Sequence, residues 1–130
     1  YVYLSYGMHW CLNVVCHPEG SGGGILLRAG EVIEGREVAL ARRGGHRDLA
    51  RGPGRLGQAL GVTMADSGAD LGTGRLRLEL TRTSAAVARG PRVGVSRAAD
   101  VAWRFWIEGD PYVSPYRRSS RASAPPRVPR

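Results

Sequence analysis

Lysine is absent from all 130 residues: each of the 19 basic side chains is arginine. Chemistry that runs through a lysine Schiff base is therefore excluded for the residues present. Aromatic residues are scarce too, at 7% with a single Phe, and there are only two cysteines. Cys11 and Cys16 lie in an extended-looking run, which puts them on opposite faces and roughly 16 Å apart, beyond disulfide reach. Reduced thiols in a cytosolic protein are the expectation. No apolar run approaches the roughly 20 residues of a membrane span, and no charged leader precedes an apolar stretch. The length suits about one domain. The chain opens at Tyr1 inside an apolar run, Tyr1-Val2-Tyr3-Leu4, and reads as a piece of a longer protein.

What is abundant is positive charge. Eleven acids against 19 arginines leave +8. Five arginines and no acid fall in residues 117–130, so residues 1–116 hold only +3. Phosphates attract such a chain and release counterions on binding it. Much of the charge sits in a segment rich in Arg, Ser and Pro that buries nothing useful, and a disordered tail is expected there. Residues 1–116 are then the folded part.

Along that part, β-favouring residues flank Tyr6-Gly7-Met8 on both sides and predict a hairpin over residues 1–15. A flexible loop follows over 17–24, then a short buried strand over 25–29. Early acids, late arginines and Gly44-Gly45 predict a helix over 34–43. Pro53 opens a second helix ending at Leu60, with Leu56, Ala59 and Leu60 inward. Leu76, Leu78 and Leu80 alternate with Arg75, Arg77 and Glu79, the period of a half-buried strand over 75–82. Further short strands are expected at 92–96 and 104–108. Strands outnumber helices without alternating regularly with them, which favours an α+β domain.

Generic catalytic motifs are missing. Gly22-Gly23-Gly24 precedes a strand and not a helix, so it is a linker and no phosphate cradle. Cys11, Cys16 and His17 match no zinc spacing, and His46 sits among glycines and arginines as a surface residue. The unusual feature is the aromatic hairpin: Tyr1, Tyr3, Tyr6, His9 and Trp10 crowd into ten residues. Core packing accounts for Trp10. Tyr6 stands at the hairpin tip beside Met8, where a large side chain is exposed, and such wedges enter between DNA base steps. Tyr3 offers a ring face to a displaced base.

The run Tyr-Val-Tyr-Leu-Ser-Tyr-Gly-Met-His-Trp-Cys-Leu-Asn-Val-Val, followed by Ile-Leu-Leu-Arg-Ala, resembles the 3-methyladenine (alkyladenine) DNA glycosylase family. So do Gly52-Pro53-Gly54-Arg55-Leu56 with Gln58-Ala59-Leu60, Arg92-Val93-Gly94-Val95, and Gly109-Asp110-Pro111-Tyr112-Val113-Ser114. The four blocks occur in the right order from Tyr1 to about Ser114. The resemblance implies a curved antiparallel sheet with a protruding hairpin and short flanking helices. It implies a monomeric, monofunctional base-excision enzyme acting on double-stranded DNA that contains alkylated purines, with no cofactor, metal or membrane.

The roles it implies transfer by position. Tyr6 fills the place of the flipped nucleotide, with Met8 and Leu26 packing near the lesion. Tyr3 stacks on the extruded base, and Asn13 crowds the exocyclic amine of a normal guanine. Arg28 and the backbone carbonyl of Val93 hold the catalytic water. Two departures stand out. The family's general-base Glu matches none of the eleven acids and belongs to a segment ahead of the hairpin, so this chain alone is expected to be inactive and to leave sheet residues Val2, Leu4 and Leu12 uncovered. His9 stands where an aromatic residue is common. The competing reading is a non-catalytic, basic, β-rich module that binds nucleic acid.

Overall fold

A computed structural model describes residues 1–122. The chain divides into two compact units, Tyr1–Arg82 and Thr83–Arg130.

In the first unit β1 (Val2–Ser5), β2 (His9–Val15) and β3 (Gly24–Leu26) form an antiparallel sheet in that order. The expected hairpin is β1–β2, with Tyr3 opposite Cys11 and Ser5 opposite His9. Its turn is closed by the Met8 N–H donating to the Ser5 carbonyl at 3.0 Å. Tyr6 and Gly7 both take positive φ, +51° and +67°, as a type I′ turn requires. Gly7 adopts that backbone freely, whereas Tyr6 does so at a cost.

Period-two alternation divides the hairpin into two faces. Val2 and Leu12 point into a core with Val62, joined by Trp10, Leu27 and Leu76. The expectation of a bare apolar face is therefore corrected for Val2 and Leu12; only Leu4 remains exposed. Helix α1 (Arg36–Arg42) starts later than expected because Gly35, at φ +64°, sits left-handed just before it. Helix α2 (Pro53–Leu60) has the expected bounds. Of the expected inward face, Ala59 is buried and Leu56 half-buried against the core, but Leu60 is 37% exposed and Gly57 is buried in its stead. Glycine faces inward because α2 lies directly on the backbone of β2. Ala39, Leu49, Ala50 and Ala59 form the second small core, with Val32 and Leu56 against it.

Two expected strands are absent and two are shorter, the one expected at 104–108 by a single residue. Strand β3 stops at Leu26, and Ile25 is 57% exposed, not buried. Residues 75–82 are not a strand despite their alternation. Leu76 reaches the core, but Leu80 is 89% exposed. The Gly74 and Leu78 N–H groups fold back onto the carbonyls of Asp70 and Leu71, so no neighbouring strand takes their hydrogen bonds. A 3-10 turn at Met64–Asp66 precedes this loop.

In the second unit β4 (Val87–Gly90) pairs antiparallel with β5 (Arg104–Ile107). Strand β5 was expected and β4 was not. Residues 92–96 turn instead of extending: Gly94 is left-handed at φ +71° and donates its N–H to the Arg117 carbonyl at 3.0 Å. Gly90 leaves room for Trp106, whose ring comes within 3.0 Å of where a Cβ would stand. Arg104 is buried, 4.7 Å over the Trp106 ring, and donates to the Ser114 carbonyl at 2.6 Å. Of the expected tail, Arg117 and Arg118 are engaged, the latter with Asp100; residues 123–130 lie outside the described residues. Among the described residues the architecture is α+β, two α-helices with two antiparallel sheets.

Candidate nucleic-acid interface

The tip of the hairpin carries the two most projecting candidates. Tyr6 is 84% exposed and Met8 is 70% exposed. Nothing in the first unit's core uses either side chain, so the left-handed Tyr6 backbone serves to present its ring outward.

Behind the tip, the face opposite the core carries Tyr1, Tyr3, Cys11, Asn13 and Leu26, because directly paired residues share a face. Tyr3 pairs with Cys11, and Asn13 with Leu26. The Tyr1 and Tyr3 rings stack at 5.8 Å with planes 22° apart. Burial lifts the Tyr3 phenol above its ordinary pKa of 10.0; the Cys11 thiol and Tyr1 add to this, while the nearby Arg28 guanidinium opposes it. Tyr3 is thus a neutral phenol at physiological pH.

Asn13 is 7% exposed. Its backbone N–H donates to the Tyr1 carbonyl at 2.8 Å, its side-chain amide reaches the same oxygen at 3.4 Å, and the Tyr1 nitrogen donates to the Asn13 carbonyl at 2.9 Å. Tyr1 and Asn13 line an open cleft of about 410 Å³ whose far wall is the glycine run 22–24. Gly23 is held side-chain-free by His17, whose ring occupies the place a Cβ would take.

Arg28 follows β3 and is half-buried. The sheet therefore gathers Tyr3, Asn13, Leu26 and Arg28, with Tyr6 and Met8 at its tip. Val93 belongs to the second unit, half-buried beside the Gly94 turn. Tyr1 and Cys11 share the site face although neither was singled out for a role; the Tyr1-x-Tyr3 and Cys11-x-Asn13 alternation was the signal for both. Among the described residues no group of three His, Cys, Asp or Glu side chains could hold a metal ion, and no helix is long and apolar enough to cross a membrane.

The sequence that builds this face has relatives among known proteins. The family model for methylpurine-DNA glycosylase matches residues 1–111. The chain belongs to the methylpurine-DNA glycosylase family. A relative from Nocardia farcinica, named "Putative 3-methyladenine DNA glycosylase", is 52% identical across the whole chain. Relatives of the same name from Rhodococcus jostii and Mycobacterium tuberculosis are 54% and 53% identical over 94% and 95% of the chain. The chain spans 66%, 56% and 63% of these relatives' lengths. Tyr3, Tyr6, Met8, Asn13, Leu26, Arg28 and Val93 all fall inside the matched residues.

Proposed function

We propose that this chain serves a DNA glycosylase that removes alkylated purines of the 3-methyladenine type by hydrolysing the N-glycosidic bond. One observation carries the reading: Tyr6 is held outward by a left-handed turn at the end of a hairpin whose site face bears Tyr3 and Asn13.

A base inside a duplex is out of reach, so it is extruded and its vacancy is filled. Tyr6 enters the minor-groove side of the vacancy, with Met8 beside it. Tyr3 stacks on the extruded base, and an uncharged phenol ring favours the cationic face of an alkylated purine. Asn13, buried and tied to the Tyr1 carbonyl, leaves no room for the exocyclic amine of guanine, while Leu26 packs nearby. Arg28 orients a water toward C1′. As its oxygen bonds to C1′, the glycosidic electron pair leaves with the purine, and a carboxylate takes the water's proton. In this reading that carboxylate lies outside the 130 residues. With no lysine in the chain, no side chain supplies an amine nucleophile, and hydrolysis by this route calls for neither metal nor cofactor.

The test is a single-turnover assay on a duplex carrying an alkylated purine. It compares the 130-residue chain with the same chain completed by the remaining third of the Nocardia farcinica relative. Free base should appear only with the completed protein, because general-base assistance is worth about 10²–10⁴-fold. Release by the chain alone places the base within it, and release by neither overturns the glycosylase reading.

A further inference from the structure

We propose that Arg55 in the first turn of α2, and Arg51 just before it, grip backbone phosphates of the DNA flanking the hairpin, and that Asp48 is the counter-ion Arg55 gives up to do so. This rests on the reading of the hairpin as a DNA-contacting element.

The charge of the first unit is unevenly placed. Residues 36–55 hold six arginines and two acids, while the other residues of that unit hold four arginines and six acids. All the net positive charge therefore lies in α1, the connecting loop and the first turn of α2. Of these arginines, Arg42 and Arg43 spend donors inside the fold, on the Ala59 carbonyl and the Gln58 side chain. Arg55 meets Asp48 in an ion pair with both side chains nearly half exposed, and the same guanidinium also donates to the Arg51 carbonyl at 3.4 Å. Asp48 also accepts the Arg51 backbone N–H at 3.3 Å.

Three contacts put this pair beside the hairpin. A Cβ on Gly54 would stand 2.8 Å from the His9 side chain, and one on Gly57 would collide with the Trp10 carbonyl. The first turn of α2 thus lies on the residues that follow Met8. Arg51 forms a β-bridge with Ala29, next to Arg28. A strand whose nucleotide is replaced by Tyr6 has phosphates on both sides of the gap, and they need cations beside the hairpin tip. Without lysine, arginine must supply them, and its fork suits two phosphate oxygens at once. An exposed ion pair adds little to stability, so exchanging the Asp48 carboxylate for a phosphate costs the fold little.

The experiment measures the salt dependence of binding to an undamaged duplex, so it does not depend on excision. Log affinity against log salt falls with a slope of about −0.9 per phosphate contact. Arg55→Gln and Arg51→Gln should each make that slope shallower by about 0.9. Arg55→Lys should restore the slope, and Asp48→Asn should tighten binding several-fold. Thermal melts of each variant establish that it is folded. An unchanged slope in folded Arg55→Gln overturns the proposal, as does weaker or unchanged binding in Asp48→Asn, which decides alone if Arg55→Gln does not fold. If the slopes change as expected but the completed protein releases no base, the grip stands and the glycosylase reading falls.

Discussion

Gly57 of α2 and Trp10 of β2 are in backbone contact: a Cβ on Gly57 would overlap the Trp10 carbonyl oxygen. No side chain separates helix from strand at that point. The closeness fixes how the helix that bears Arg55 sits on the strand that leaves the hairpin tip.

Gly57→Ala tests that contact, because two effects oppose each other. Alanine in a helix interior gains about 1 kcal/mol over glycine. Overpacking a well-filled contact costs roughly 1–3 kcal/mol, and here the obstacle is a backbone carbonyl with no rotamer to change. The net outcome should be a loss of stability, read as a lower urea midpoint. A stabilised variant would mean that α2 is free to lift off β2.

Tyr6 should show stability and function pulling apart. A non-glycine residue held left-handed costs about 1–2 kcal/mol, and Asn tolerates that backbone well. Tyr6→Asn is expected to raise stability by about 1 kcal/mol and to cut base release in the completed protein far more than it cuts weak duplex binding. Tyr6→Ala should show the same loss of excision, since extrusion costs a few kcal/mol that the ring no longer offsets. Wild-type excision by either variant would reduce Tyr6 to a surface aromatic.

For Asn13, selectivity and stability give different readouts. Asn13→Ser opens space beside the Tyr1 carbonyl, and excision of undamaged guanine relative to the lesion should rise roughly tenfold. Loss of the 3.4 Å side-chain contact should cost no more than about 1 kcal/mol. If melting falls while the lesion-to-guanine ratio stays put, Asn13 only secures the end of the sheet.

Acid stability is expected to depend on Asp66. Its carboxylate accepts from Arg75 at 2.6 Å and from the Thr63 N–H at 2.8 Å. Those bonds, that from Arg75 first, hold its pKa below the ordinary 3.8. A folded-state value below the unfolded one means that this stability is present above pH 3.8 and is lost as pH falls through the lower folded value. Asp66→Asn should therefore lower stability at neutral pH and flatten its decline in acid, measured as urea midpoints along a pH series. The turn matters beyond itself, since Ser67 accepts the Val2 N–H of β1 at 3.3 Å.

The hairpin and the bounds of α2 were legible in the sequence because local chemistry specifies them. Gly7 permits the turn, Pro53 starts the helix and Gly61, at φ +66°, stops it. Of the candidate residues, Tyr6 and Tyr3 were legible in the hairpin itself, because a turn residue points outward and Tyr3 lies on the strand that leads to it. Asn13, Leu26 and Arg28 were named by the family resemblance. Alternation along β1 and β2 puts Tyr3 and Asn13 opposite the core face of Val2 and Leu12. Local pattern failed where a partner had to be found. Leu76, Leu78 and Leu80 carry the period of a strand, yet alternation says only which face a strand would bury, and no neighbour supplies the hydrogen bonds. Strand β4 has little pattern of its own and exists because β5 pairs with it. The glycine face of α2 likewise depends on the approach of two segments far apart in the chain, Gly57 of the helix onto the Trp10 carbonyl of β2. Hydrophobic period and turn chemistry act within a few residues, whereas closeness of backbones and pairing of charges is decided only when the segments pack.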